Sequence, residues 1–221
     1  MITLQQVKEN KFVQEFINQS EKYLDAIGFT DHGRRHLSIV SDRARSLAKA
    51  IGLSEKDQEM CAIVGYCHDM GNFLGRTDHH YWGAMLFMQT FLKEIDNPEE
   101  LATIMQAITS HDKDELKIVN AVAAVLILAD KSDVHRTRVK TKKIIDITSD
   151  IHDRVNYAAM KNDFSVNKLK KEIKLKIQID TKITSPMDYF EIFIERMTFC
   201  KTAAEFLGYK FTLIINNSKL S

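Results

Sequence analysis

From the N-terminus to about residue 138, apolar positions recur at the spacing of helices that bury one face. A first helix is expected through VKENKFVQEFINQSEKYLDAI, stopping at Gly28. The polar stretch TDHGRRH leads into a second, from about His36 to Ile51. Ile39, Val40, Ala44, Leu47 and Ala48 lie along one face, and Gly52 ends it. Ser54 followed by Asp57 reads as an N-cap with an acidic first turn. It opens a third helix that turns Met60, Ile63, Val64 and Cys67 inward and ends at His68-Asp69. A fourth is expected over HHYWGAMLFMQTFLKEI, from about His79 to Ile95. Asn97-Pro98 begins a fifth, PEELATIMQAITSH, which delivers His111 at its end. The sixth, IVNAVAAVLILADKSDVHRTRV, is apolar on nearly all sides until Asp130, the mark of a buried central helix.

After about residue 145 the period changes. EIKLKIQID alternates strictly, with Ile173, Leu175, Ile177 and Ile179 on one face and Lys174, Lys176 and Gln178 on the other, as in a half-buried strand. RVNYAAM and KFTLIIN also read as strands. Before the last of them, SPMDYFEIFIERMTFCKTAAEFLG is an amphipathic helix with Phe193, Met197, Cys200, Ala204 and Leu207 in register, closed by Gly208. The expected fold is mainly α. A helical bundle over residues 1–145 carries a small α+β unit of about three strands and one helix over 146–221, packed on the bundle and completing its core.

Composition narrows the functional classes. The chain has 221 residues, 44% hydrophobic and 28% charged, with a net charge of +1, so no global field favours nucleic acid or an anionic membrane. No apolar run approaches the roughly 20 residues of a membrane span, and MITLQQVKENKF lacks the apolar segment of a secretory signal. Cys61, Cys67 and Cys200 form no CxxC pair, as expected of free thiols in a reducing cytoplasm.

Chemistry concentrates in His36, His68-Asp69, His79-His80, His111 and Asp130. One histidine at a helix end is ordinarily a cap or a surface group. Here the polar groups repeatedly interrupt apolar faces near helix ends. Buried Asp and His are costly unless paired or metal-bound, and a shared cation accounts for Asp69 and Asp130 together. The words RRHLSIV, GYCHDMG and LILADKSD carry these groups in the order in which the HD superfamily of metal-dependent phosphohydrolases carries its ligands, and residues 28–138 resemble that family. The resemblance implies an all-α HD-type bundle with the site between helix ends. HHYWGA resembles the family's H-x-x-x-G-A word, aligning His79 rather than His80 with the usual ligand, and SHDKD places His111 where binuclear members carry a further histidine. The pattern is similar to that of the HD-type symmetrical diadenosine tetraphosphatases. By that resemblance His36, His68, Asp69 and Asp130 hold one metal. Asp69 bridges to a second held by His79 and His111, with His80 as substitute or neighbour. The acidic pair of the guanosine tetraphosphate hydrolases is missing after the doublet, where Met70-Gly71-Asn72-Phe73 follows, and the GYP word of the cyclic-di-GMP branch is missing too.

The resemblance implies hydrolysis of a phosphoester or phosphoanhydride of a nucleotide or related small molecule, with two divalent ions acidifying water and clamping phosphoryl oxygens. Iron, manganese, cobalt, nickel and zinc all suit such donors. Substrate charge calls for cations: Arg35 before the first histidine, and Lys131 and Arg136 after Asp130, for binding and catalysis alike. Lys131 and Arg136 serve equally well as a solvated helix end, the reading favoured for Arg138 and the lysines beyond it. Asp133 either orients a ligand histidine beside the substrate or forms an ordinary ion pair. His32, near the first ligand, is either a turn residue or a proton carrier. The competing class is a metal-bound nucleotide-sensing module without turnover. The Lys174–Lys176 strand, if an edge, offers a route to a homodimer.

Overall fold

The computed structural model describes residues 2–112, 117–140, 147 and 150–220. The fold is mainly α with a small α+β appendage, and the chain divides into two compact units, Met1–Asp130 and Lys131–Ser221.

The first unit begins with two helices where the apolar period suggests one. Helix α1 (Leu4–Glu9) is opened by a reciprocal capping box between Thr3 and Gln6. It stops at Asn10, which is extended and whose backbone N–H closes onto Val7 O. The Asn10 side chain then accepts from the N–H groups of Phe12 and Val13, starting α2 (Lys11–Ala26). One asparagine ends one helix and caps the next, a device that the pattern of apolar residues cannot reveal. Helix α3 (Arg34–Ile51) ends on Gly52 at φ 87°, the left-handed conformation that glycine adopts without a Cβ penalty. Its inner face carries Leu37 rather than Ile39, with Val40, Ala44, Leu47 and Ala48 as expected. Ser54 caps α4 (Glu55–Cys67) through Asp57 N–H. Helix α5 (His79–Phe91) stops four residues short of the expected end, and α6 (Pro98–Ser110) starts from an Asn97 cap with proline in its first turn.

Helix α7 (Ala121–Lys131) is shorter than the apolar run suggested, breaking after Lys131. Every residue from Val122 to Ala129 is buried, as expected for a central helix. Around it lie Val13, Ile17, Leu24, Leu37, Val40, Leu47, Ile63, Phe87, Phe91, Ile104 and Ile108, all buried.

Two glycines let backbones approach closely enough to gather the site. A Cβ on Gly65 of α4 would lie 2.8 Å from Ser41 Cα of α3, and Ser41 Oγ donates to Ala62 O at 2.7 Å. A Cβ on Gly71 would collide with His79 O and the Gly83 backbone of α5. The chain after α4 is therefore pressed against the first turn of α5. Among the described residues, no helix is long and apolar enough to cross a membrane.

In the second unit a 3₁₀ turn (Arg136–Arg138) precedes α8 (Ile151–Ala158) and strands β1 (Ala159–Asn167) and β2 (Glu172–Ile179). Helix α9 (Pro186–Phe206) then leads to β3 (Lys210–Ile215) and β4 (Ser218–Lys219). The sheet order is β1-β2-β3-β4: β2 pairs antiparallel with β1 and parallel with β3, and β3 pairs antiparallel with β4. Ile173, Leu175, Ile177 and Ile179 are buried as their alternation requires.

Two expectations are corrected. Arg154–Ala158 of RVNYAAM are helical, because Asp150 caps α8 through Asp153 N–H and puts Val155 and Ala158 on one buried face. The strand starts only at Ala159. A fourth short strand follows Asn216 and Asn217, both at positive φ, the turn conformation that asparagine tolerates and that tight hairpins need. Strand β2 is also interior, paired on both sides, so Lys174–Lys176 offers no open edge.

Candidate metal centre

Five helix ends of the first unit supply the polar cluster. His36 lies in the first turn of α3, His68 caps the C-terminus of α4 with Asp69 next to it, and His79 opens α5. His111 caps the C-terminus of α6, and Asp130 lies in the last turn of α7. All six are buried.

Three of the histidines are held the same way. His68 Nδ1 lies 3.0 Å from Gly65 O, His79 Nδ1 2.7 Å from Arg76 O, and His111 Nδ1 2.6 Å from Ile108 O. Each Nδ1 donates to the carbonyl three residues earlier, which assigns the proton to Nδ1 and leaves the Nε2 lone pair for the interior. Those lone pairs converge. His79 Nε2 and His111 Nε2 are 3.1 Å apart, and buried His68 Nε2 makes no hydrogen bond.

Asp69 stands at the middle, and its two oxygens face different partners. Oδ2 lies 3.3 Å from His68 Nε2 and 3.8 Å from His36 Nε2. Asp130 Oδ1 joins that side, 3.3 Å from His36 Nε2 and 3.7 Å from His68 Nε2. Oδ1 of Asp69 faces the other side, 3.2 Å from His79 Nε2 and 3.8 Å from His111 Nε2. Asn72 Nδ2 donates to that oxygen at 2.9 Å and so orients the carboxylate. The donor atoms of His36, His68 and Asp130 lie within 4.8 Å of one another, as do those of His68, Asp69 and His111. Neutral imidazole nitrogens and carboxylate oxygens, buried and pointing at one another, form a donor set that could hold a divalent ion. The fit is chemical as well as geometric, because converging lone pairs repel unless a cation lies between them.

Burial works against charge on both central groups, and their neighbours outweigh it. Burial opposes protonation of His68, yet Asp69 and Asp130 beside it hold its pKa above the ordinary value. Burial likewise disfavours the Asp69 carboxylate, but His68, His111 and His79 hold its pKa well below the usual range. Asp69 therefore stabilises the ion-free fold above its ordinary value of 3.8 and loses that contribution as pH falls. His68 stabilises it fully below its ordinary value of 6.5 and loses that contribution as pH rises through the folded value. The contribution of this pair to the thermal midpoint of ion-free protein is therefore greatest between pH 3.8 and 6.5, the ordinary values of the two groups. A bound divalent ion needs neutral imidazoles and should move that optimum upward. Calorimetry of chelator-treated and ion-loaded protein across pH checks this, and an optimum unmoved by the ion would contradict it.

The remaining expected residues are placed differently. His80 is buried, but its ring centroid is 6.3 Å from that of His111, against 5.0 Å for His79, and it lies 4.3 Å from the Tyr81 ring, tilted 43° to it. Neither His80 nor His79 belongs to the two donor groups found among the described residues, but His79 Nε2 joins the cluster through Asp69 Oδ1 at 3.2 Å and His111 Nε2 at 3.1 Å. His32 is half-buried, with Nδ1 2.7 Å from Thr30 O and its ring 5.5 Å from the His36 ring. Arg35 pairs with Asp31 at 3.4 Å, and Asp31 Oδ1 also accepts from Gly33 N–H. Lys131, Asp133 and Arg136 belong to the second unit. Lys131 and Asp133 are buried there, and the Arg136 guanidinium lies 5.1 Å over the Tyr157 ring. Arg138, expected at a solvated helix end, is instead buried and donates to Asp133 O at 2.9 Å. Its aliphatic stem makes such burial tolerable once the head finds an acceptor. Lys142 and Lys143 lie outside the described residues.

Three participants escaped the sequence reading. Asn72 orients Asp69, Arg76 provides the carbonyl that orients His79, and the Arg76 guanidinium lies 3.1 Å from Asp112 Oδ2. The signal available was position: Asn72 is three residues after Asp69, and Arg76 three before His79, the reach of one helical turn.

No protein-family model matches the chain. It is similar to an uncharacterized protein of Methanocaldococcus jannaschii, 27% identical over 166 residues. The match covers 64% of this chain and 64% of that protein, so the chain spans less than two thirds of the relative's length.

Proposed function

We propose that the first unit is an HD-type metal-dependent phosphohydrolase that cleaves a phosphoester or phosphoanhydride of a nucleotide or related small molecule. One observation carries the reading: the two oxygens of a single buried carboxylate, Asp69, face two separate sets of histidine Nε2 atoms. That arrangement suits two ions bridged by Asp69. His36, His68 and Asp130 would complete one half, and His79 and His111 the other, with His68 close enough to Asp69 and His111 to serve there as well. The order of these residues in RRHLSIV, GYCHDMG, HHYWGA and LILADKSD supports the same family. Divalent ions held there would acidify water at neutral pH and draw charge from the phosphoryl oxygens.

The chain's own groups have narrower tasks. The Nδ1 bonds of His68, His79 and His111 fix ring orientation, so the ligand set is organised before any ion arrives. Asn72 holds the Asp69 carboxylate in the plane that serves both halves. His32, beside the His36 ring, is the proposed carrier of a proton to the leaving group. Arg35 of the same unit is the proposed contact of a substrate phosphate.

Metal analysis of purified protein, followed by assay against an aryl phosphodiester and a panel of nucleotides, tests the reading. About two ions per chain and hydrolysis of at least one substrate are expected. A metal-replete protein inert across the panel would move the assignment to a nucleotide-sensing module. A protein that binds no transition metal would end both.

A further inference from the structure

The two halves of the cluster differ in one respect that neither the ligand order nor the donor chemistry requires. Arg76 reaches onto the Oδ1 side of Asp69. Its Nη1 lies 3.9 Å from Asp69 Oδ1, 3.2 Å from Asn72 Oδ1, and 2.9 and 3.0 Å from the Nε2 and Nδ1 of His79. Near-equal distances to both ring nitrogens put the guanidinium across the imidazole rather than at the end of one lone pair. Nη2 meets Asp112 Oδ2 at 3.1 Å, and the guanidinium carbon lies 5.8 Å over the Phe29 ring. The side chain is thus fixed by Asn72, Asp112, Phe29 and His79 together. A guanidinium does not lose its proton at any pH the protein meets, so this positive charge is permanent.

We propose that Arg76 is the resident cation of the Asp69 Oδ1–His79–His111 half, and that it sets how tightly that half takes a second divalent ion. The inference rests on the two-ion reading above. A fixed positive charge 3.9 Å from Asp69 Oδ1 offsets part of that oxygen's charge while the half holds no ion, and it repels an incoming divalent ion. The ion must therefore displace the guanidinium toward Asp112 or bind against its charge. Either way the second ion binds more weakly than the first, although both halves offer imidazole and carboxylate. Arg76 acts in two parts: its backbone carbonyl orients His79, and its side chain opposes the ion that His79 would bind. Side-chain substitution removes the second effect and leaves the first.

The test is titration of chelator-stripped protein with Mn(II), followed by calorimetry and equilibrium dialysis, with no activity assay involved. The wild type should bind a first ion tightly and a second more weakly. Arg76→Gln should tighten the second step by about tenfold or more while changing the first less than about threefold. Arg76→Lys, which restores a positive charge, should return the second step toward the wild type. In the Arg76→Gln background, His79→Ala should abolish the second step and spare the first. A second step unchanged or weakened in Arg76→Gln, or both steps moved equally, overturns the proposal. So does a second step missing from both proteins, and the single-ion site then survives as a metal centre. Failure of every variant and the wild type to bind Mn(II) sinks the two-ion reading itself, a result distinct from either of the others.

Discussion

Asp69→Ala is expected to abolish stable metal binding, and with it any hydrolysis that depends on the ion. Its two oxygens face different histidines: Oδ2 lies 3.3 Å from His68 Nε2 and Oδ1 lies 3.2 Å from His79 Nε2. Loss of a partner that merely orients a ligand costs about 10- to 100-fold in metal affinity, so loss of the shared ligand should exceed that range. Metal content measured by mass spectrometry after dialysis reads the effect directly, and full retention would refute the central role of Asp69. The fold should survive, because the buried apolar core around α7 does not depend on Asp69. A fall of about 1–3 kcal/mol in ion-free stability is expected from the stranded donors. Asp69→Asn sharpens the argument. Asn72 Nδ2 donates to Oδ1 and requires an acceptor there. The new amide would therefore place its carbonyl oxygen at that position and its NH₂ toward His36 and His68. The half built on His36, His68 and Asp130 should be lost in preference to the other.

Gly65→Val should have the second largest effect, through packing rather than chemistry. Even a bare Cβ at this position would lie 2.8 Å from Ser41 Cα and 2.9 Å from Ser41 N, and backbone atoms cannot swing aside as a side-chain end can. Helices α3 and α4 would have to separate. Overpacking of this kind costs about 1–3 kcal/mol and sometimes more, and a branched residue inside α4 adds to it. The functional consequence follows from position. Gly65 O anchors His68 Nδ1, and α3 carries His36, whose ring centroid is 5.3 Å from that of His68. A lowered thermal midpoint with metal lost from the soluble, folded fraction is the expected outcome. Normal metal content at a lowered midpoint would mean that the helices separate without disturbing the ligands.

How far the sequence alone reaches can be judged from particular residues. Ser54, Asn97-Pro98 and Gly52 mark helix ends by local chemistry, and the structure places the ends where they predict. Strict alternation in EIKLKIQI is equally local, and β2 follows it residue for residue. Asn10 illustrates the limit. The apolar period runs on across it, while its side chain and backbone serve two different helices. RVNYAAM shows another limit: its short apolar run suits a strand or a helix, and the Asp150 cap upstream decides for the helix. Within the candidate site, His36, His68, Asp69, His79, His111 and Asp130 were visible because buried polar residues in apolar surroundings are conspicuous. Arg76 and Asn72 were not, because an arginine or asparagine in a polar loop looks ordinary until the chain folds back. The likeness of HHYWGA to an H-x-x-x-G-A word put His79 ahead of His80, and the His79 ring lies 5.0 Å from that of His111 against 6.3 Å for His80.

The anchoring of His68, His79 and His111 on carbonyls three residues earlier has a kinetic consequence. These donors belong to terminal turns of α4, α5 and α6, and terminal turns are where helices fray at little cost, far below the free energy of global unfolding. When one such turn opens, its imidazole loses its orientation, and an ion held there would lose a ligand while the core around α7 stays closed. Exchange of bound metal should therefore follow the opening of single helix ends, and ions should leave long before the protein unfolds. In hydrogen-exchange measurements, loading with metal should slow the amides of residues 65–68 and 108–111 selectively and leave those of Val122–Ala129, already held by the core, almost unchanged.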